Sequence, residues 1–314
     1  MEQSERPLVI VCGPTGSGKS ALSVALARRF SGEVVNCDSV QIYRHFNVGT
    51  AKITAAGQGG VPHHLLDIAE PTATFTAGDY ARLARAAIAE ISTRGRLPVV
   101  AGGTGFYLRA LLLGLFEGPP RNDSLRERLH ARETRKPGSL HRLLARWDNR
   151  ASVRIHRNDT PKIIRALEVI ISEKQSLTNL FQRGRDPLTG YRVLQIGLNP
   201  PRRDLYARLE QRARLMFERD GLLEEVRALL ESGVPGTAKP FESLGYAQAL
   251  AHVRGIQTLE QAIAETQMFT RRYAKRQWTW FRREAAVEWL EGFGADPAVQ
   301  NMAAARVARF LASI

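Results

Sequence analysis

Short apolar runs alternate with helical repeats along this chain. Leu8-Val9-Ile10-Val11 and Leu97-Pro98-Val99-Val100-Ala101 are too short for helices and their apolar character predicts buried strands, and Glu33-Val34-Val35-Asn36-Cys37-Asp38 reads as a further strand between them. The segments between them carry the helical period. Ala21 to Phe30 predicts a helix, and Thr76-Ala77-Gly78-Asp79 predicts a capping box that opens a helix burying Tyr80, Leu83, Ala84, Ala87, Ile88 and Ile91. Residues 49–67 lack either period and predict a loop. Tyr191 to Leu198 returns to strand character and Pro200-Pro201 punctuates it. The helix that follows turns Leu205, Tyr206, Leu209, Met216 and Phe217 inward and ends at Gly221. The last third predicts helices, the longest running from Thr258 to Glu284.

Charge changes this picture between the third and fourth strands. Arg121 to Arg157 holds eleven Lys or Arg against four Asp or Glu, half of the whole chain's net charge of +14. Leu125, Leu129, Leu140, Leu143, Leu144 and Trp147 give the segment a sparse helical stripe, which predicts a small helical insertion with a basic outer face. Asn158-Asp159-Thr160-Pro161 predicts a helix start, with Ile163, Ile164, Leu167 and Ile171 on its buried face and Lys162 and Arg165 together on another. A second basic stretch, Arg271 to Arg283, has six positive charges, no acid and four aromatics. Such a stretch suits a nucleic-acid backbone on one face and a buried aromatic stripe on the other. So much positive charge argues for a polyanionic partner.

Candidate chemistry gathers at the ends of the strands. Gly13-Pro14-Thr15-Gly16-Ser17-Gly18-Lys19-Ser20 matches G-x-x-x-x-G-K-[ST] between a predicted strand and a predicted helix, the context of a phosphate-binding loop. Its glycines let backbone N–H groups converge on one anion. Lys19 would reach the phosphates and the Ser20 hydroxyl would hold Mg²⁺. Asp38 ends the second strand and is followed by Ser39, Gln41 and Tyr43, a denser polar set than helix or turn capping requires. Gly102-Gly103-Thr104-Gly105 ends the third strand at the same predicted rim. Arg208 and Arg212 lie one helical turn apart, which fits both a phosphate clamp and a solvated arginine face. His63, His64 and Asp67 lack the further ligands of a metal site.

With this loop in place the predicted class is α/β. A P-loop core with a parallel sheet flanked by helices spans 1–118 and 190–314, and a basic all-helical insertion spans 119–189. At 314 residues and 44% hydrophobic content the chain can bury a full core. No apolar run approaches the roughly 18 residues of a membrane span, and Met1-Glu2-Gln3-Ser4-Glu5-Arg6 lacks the apolar core of a signal peptide, so a cytoplasmic protein is expected. Cys12 and Cys37 are the only cysteines, each in or beside a predicted core strand, and make no zinc or disulfide pattern.

Taken together, five stretches resemble the tRNA dimethylallyltransferase family in its bacterial form. They are Gly13 to Ser20; Asp38-Ser39-Val40-Gln41-Ile42-Tyr43; Gly49-Thr50-Ala51-Lys52 with Pro62-His63-His64-Leu65-Leu66-Asp67; Gly102-Gly103-Thr104; and Lys275-Arg276-Gln277 with Thr279-Trp280. Gly16 departs from the family, which usually carries alanine there. The resemblance implies transfer of a dimethylallyl group from dimethylallyl diphosphate to N6 of adenosine-37 in tRNA, with release of diphosphate and with Mg²⁺. It implies a catalytic set of Asp38, Thr15 and Arg212. Diphosphate or nucleotide would be held by Gly13, Pro14, Thr15, Gly16, Ser17, Gly18, Lys19 and Ser20. The tRNA would be contacted by Asp38, Ser39, Val40, Gln41, Thr104, Arg126, Pro161, Lys162, Ile163, Ile164 and Arg165. A monomer with no membrane partner is expected.

Three rivals share parts of the pattern. A small-molecule kinase shares the phosphate loop but has no need of the basic insertion. A transferase that prenylates free AMP, ADP or ATP needs neither basic segment. A nucleic-acid-binding NTPase leaves Asp38-Ser39-Val40-Gln41 unexplained.

Overall fold

The computed structural model of the protein describes residues 5–115, 118–119, 121–182 and 186–314. Residues 1–4 of the polar N-terminus, and 116, 117, 120 and 183–185 near the ends of the expected insertion, lie outside the described residues. The chain divides into two compact units, Met1–Leu112 together with Leu188–Ile314, and Leu113–Pro187. In chain order the elements are β1 (Arg6–Cys12), α1 (Lys19–Arg29), β2 (Gly32–Asn36), α2 (Ala55–Gln58), β3 (His63–His64), α3 (Ala77–Thr93), β4 (Leu97–Ala101) and α4 (Gly105–Leu113). Next come α5 (Asp123–Arg135), α6 (Ser139–Trp147), α7 (Asn149–Arg154), α8 (Thr160–Glu173) and α9 (Leu177–Gln182). The chain ends with β5 (Tyr191–Asn199), α10 (Arg202–Glu218), α11 (Leu222–Glu231), a 3₁₀ turn (Lys239–Glu242), α12 (Tyr246–Val253), α13 (Leu259–Phe281), β6 (Val287–Glu291) and α14 (Pro297–Leu311).

Six parallel strands form one sheet in the order β3-β2-β4-β1-β5-β6. Val9 of β1 sits in register with Val99 of β4 on one side and Leu194 of β5 on the other. Both faces of β1 are covered, and Leu8 to Cys12 have no exposed surface, which is why this strand reads as an unbroken apolar run. Because all strands run the same way, the residues that follow β1, β2 and β4 emerge on one edge of the sheet, beside the central strand where the chain order reverses. The capping box at Thr76 and Asp79 forms as expected at the start of α3. No helix among the described residues is long and apolar enough to cross a membrane.

Three expectations are corrected in this unit. The 49–67 segment contains α2 and the edge strand β3, in which His63 and His64 pair with Val34 and Val35. The last third contains β6, an edge strand in which Val287 and Leu290 are buried and Glu288 and Glu291 exposed. So short a strand between helices carries little signal. Gly221 lies beyond the end of α10 and serves as the left-handed N-cap of α11, at a φ of 87°.

Leu113–Pro187 is all helical in its described part. Leu125, Leu129, Leu140, Leu144, Ile163, Ile164 and Leu167 form its core, while Trp147 is 43% exposed and Ile171 39% exposed, against the expected stripe. Glu168 of α8 is fully buried and accepts from Arg126 Nε and Nη2 at 2.8 Å each, from Arg165 Nη1 at 2.6 Å and from the Asn122 N–H at 2.8 Å. Burial pushes this carboxyl up, but the hydrogen bonds from Arg126, Asn122 and Arg165 outweigh it and hold it at about 2. A folded value below the unfolded one stabilises above the unfolded pKa of about 4.3. That stability is lost as pH falls toward 2. Acid should therefore open this unit across that window, seen as loss of amide protection in α5 and α8 by hydrogen exchange. Arg126→Met should cost on the order of 3 kcal/mol in urea unfolding, since one buried charge loses its bidentate partner. An unchanged midpoint would show that Arg165 and Asn122 suffice.

Candidate active site at the carboxyl edge of the sheet

The loop after β1 forms the floor. Gly16 and Gly18 hold φ of 78° and 90°, conformations L side chains rarely adopt, and Gly18 caps α1 without any side-chain hydrogen bond. Glycine therefore suits position 16, and the departure from the family's alanine introduces no strain here. The first N–H groups of α1 are left for an anion. Gly18 also packs against a second loop. An added Cβ would lie 2.9 Å from the Gly294 nitrogen, and Gly294 N–H donates to the Ser17 carbonyl at 2.8 Å. Lys19 Nζ donates to the Pro14 carbonyl at 2.9 Å. Burial lowers its pKa to about 8, with Asp38 opposing and Arg212 adding to the fall. Ser20 stands exposed at the start of the helix.

The turn after β2 forms the wall. Asp38 Oδ1 accepts the N–H groups of Val40 at 2.9 Å and Gln41 at 3.3 Å, while no described hydrogen bond uses Oδ2. The Ser39 N–H donates to Thr104 Oγ1 at 3.1 Å, which ties this turn to the glycine turn after β4. Gln41 Nε2 donates to the Thr50 carbonyl at 3.1 Å. Tyr43 does not join this group. It is buried, and its hydroxyl donates to the Ala73 carbonyl at 3.3 Å.

Helices α10 and α13 close the site from the other side. Arg212 Nη2 donates to Thr15 Oγ1 at 3.0 Å, and burial followed by the neighbouring Arg208 lowers its pKa to about 10. Arg208 instead lies over the Phe293 ring at 5.1 Å. Of the two arginines that spacing put on one face, Arg212 turns to Thr15 and lines the cavities described below, while Arg208 stacks on a ring. Two residues of α13 enter unforeseen. Gln277 Oε1 accepts the Thr15 N–H at 2.7 Å and its Nε2 donates to the Gly103 carbonyl at 2.9 Å, joining the loops after β1 and β4. Its sequence signal was an uncharged amide amid the cations and aromatics of 271–283. Tyr273 lines both cavities described below, and burial followed by the charge of Asp38 pushes its phenol up.

Two cavities of about 350 and 310 Å³ adjoin here, and Thr15, Asp38, Thr50, Arg212 and Tyr273 line both. The smaller holds Gly16, Gly18, Lys19, Ser20, Gln41 and Gln277, and the larger continues past Ser39 and Val40 to apolar Leu209, Ala213, Met216 and Leu244. A polar cradle thus leads into a partly greasy chamber, with one carboxylate and one guanidinium common to both. His64 pairs with Glu33 at 2.7 Å and Asp67 with Lys52 at 2.6 Å, so these side chains are engaged in scaffolding.

The expected RNA contacts of the other unit divide by burial. Ile163 and Ile164 are 1% exposed each, so their expectation as RNA-contacting side chains is corrected: they are core residues. Pro161 and Lys162 are exposed at the start of α8, where Lys162 pairs with Asp159. Arg126 and Arg165 are committed to Glu168, each with part of its side chain at the surface.

A family model described as IPP transferase matches residues 41–284. A tRNA dimethylallyltransferase of Solibacter usitatus is 57% identical over 97% of this chain and 99% of its own length. Among solved structures, the tRNA isopentenylpyrophosphate transferase of Bacillus halodurans superposes with a TM-score of 0.70 at 37% identity, covering 98% of this chain and 96% of its own. A eukaryotic dimethylallyltransferase acting on tRNA reaches a TM-score of 0.78 at 26% identity, covering 96% and 77%. With a site of this make-up, and with identity of this extent running nearly end to end, the chain belongs to the tRNA dimethylallyltransferase family of IPP transferases.

Proposed function

We propose that this protein moves the dimethylallyl group of dimethylallyl diphosphate to N6 of adenosine-37 in the tRNA anticodon loop and releases diphosphate. The observation that carries the reading is that Asp38, Thr15 and Arg212 line both adjoining cavities. The diphosphate occupies the cradle of Gly13 to Ser20, bound by backbone N–H groups, Lys19 and the α1 terminus. Arg212, held by Thr15, meets the charge that grows on the leaving oxygen as the C1–O bond breaks. The adenine leaves its stack and enters the larger cavity along Ser39 and Val40, a wall that Thr104 supports by accepting the Ser39 N–H, while Gln41 lines the adjoining smaller cavity. As the N6–C1 bond forms, Asp38 accepts the N6 proton through the oxygen that caps no turn. The basic helices of 113–187 and the cations of α13 grip the RNA backbone.

The hard oxygen donors of this cradle suit Mg²⁺, which the Ser20 hydroxyl would hold, with Asp38 lining the same cavity. When bound, it would neutralise charge on the leaving diphosphate.

The deciding experiment is mass spectrometry of bulk tRNA nucleosides from cells with and without the gene, paired with transfer of label from dimethylallyl diphosphate to tRNA in vitro. Prenylated adenosine that persists without the gene, or label that moves only from ATP, overturns the reading. The Lys19 pKa of about 8 adds a pH signature. Above about pH 8 the free enzyme loses this cation, so KM for dimethylallyl diphosphate should rise with pH through that range while KM for tRNA changes less. A flat profile for the diphosphate would show that Lys19 remains charged or is not needed.

A further inference from the structure

The loop of residues 46–52 forms part of the wall of the larger cavity through Gly49 and Thr50. Its anchor lies outside both cavities. Glu225, in the first turn of α11, accepts the Asn47 N–H at 3.1 and 3.2 Å and the Val48 N–H at 3.2 and 3.0 Å, together with the Tyr246 hydroxyl. The same hydroxyl accepts the Gly49 N–H at 3.1 Å. Three successive N–H groups therefore converge on one carboxylate and its phenol partner, an anion nest filled by the protein's own side chain. The seat is close-fitting: a Cβ at Gly49 would lie 2.4 Å from the Tyr246 ring, and Phe46 at the root packs 4.7 Å from Tyr246 and 5.1 Å from Phe241.

From this anchor the contacts run inward. The Thr50 hydroxyl donates to the Phe46 carbonyl at 2.9 Å and the Asn47 carbonyl at 3.0 Å, which closes the turn. The Thr50 carbonyl then accepts Gln41 Nε2 at 3.1 Å, so a side chain that lines the smaller cavity is held by the loop that Glu225 holds. We infer that Glu225 is a positioning residue for prenyl transfer, acting through the 47–50 loop and Thr50 on Gln41 and the cavity wall. It touches no substrate. Alanine there leaves two N–H groups without their acceptor and the Tyr246 hydroxyl without its own, and the loop turns toward water to satisfy them. Glutamine keeps the length but presents an NH₂ to backbone donors.

The inference rests on the transferase reading, and wild-type protein assayed in parallel separates the two. Full-length Glu225→Ala and Glu225→Gln would be assayed with dimethylallyl diphosphate and an anticodon stem-loop, with melting temperature followed for each. Glu225→Ala should lower kcat roughly 10- to 100-fold, the scale of a sub-ångström to ångström misplacement, with KM for dimethylallyl diphosphate little changed. Added formate, refilling the nest, should restore kcat several-fold where chloride does not. Glu225→Gln should lose kcat at a near wild-type melting temperature and gain nothing from formate, which decides the matter if the alanine variant does not fold. Wild-type kcat in the glutamine variant overturns the inference, as does an alanine variant whose loss formate leaves untouched. An inactive wild type would sink the transferase reading instead.

Discussion

Asp38→Asn is expected to lower the single-turnover rate of prenyl transfer by roughly two to four decades, the range of a general base, while tRNA binding stays near that of the wild type. Asparagine is the informative replacement because Asp38 has two duties. Oδ1 caps the turn by accepting the Val40 and Gln41 N–H groups, and an amide oxygen can go on doing so. What asparagine cannot do is take a proton at the other position. Alanine would remove the cap as well and mix a disordered turn with lost chemistry. Adenine's exocyclic amine is a weak nucleophile because its lone pair is delocalised into the ring, so a proton acceptor within reach matters as the new bond forms. Rapid-quench measurement with enzyme in excess, beside a filter-binding titration of tRNA, reads both quantities. A rate within a few-fold of wild type would remove Asp38 from proton transfer.

Arg212→Lys is expected to be nearly as damaging, by roughly two to three decades in kcat, the cost of removing one preorganised charge donor from a developing anion. Charge alone is not enough at this position. Arg212 Nη2 is held by Thr15 Oγ1, which aims the rest of the guanidinium fork, and a lysine ammonium offers a single flexible point in place of that plane. Arg212→Met should fall further and also raise KM for the diphosphate. Arg208→Met provides the contrast, since its guanidinium rests over Phe293 and lines only the smaller cavity. Its loss should be clearly smaller. Equal losses at 208 and 212, measured in single turnovers, would mean that diffuse positive charge governs the step.

Much of this architecture was legible in the chain because parallel strands covered on both faces have to be apolar throughout, as Leu8 to Val11 and Leu97 to Ala101 are. The phosphate loop announced itself by glycines that a positive φ requires. Strand β6 was hidden because it is short, five residues that mix two buried apolar positions with two exposed glutamates, a pattern that shows neither an apolar run nor a clean alternation. Trp147 misled for a related reason: helical spacing says which residues share a face, and a sparse stripe does not say where that face stops being covered. Ile163 and Ile164 fell within an expected RNA-contact run, yet a run on a helix passes through core and surface in turn.

Local order along the chain was enough to establish the strand ends, the Gly13 to Ser20 cradle, the Asp38 turn and the excess of cations, because each depends on neighbours a few residues away. Which arginine of Arg208 and Arg212 turns to Thr15, that Gln277 bridges Thr15 and Gly103 across more than 170 positions, and that Glu225 seats the loop at 47–49 were matters only for the folded chain. Hydrogen bonds of that kind depend on where helices come to rest against the sheet. That packing is set by shape and burial summed over the whole core, and no short stretch of sequence carries it.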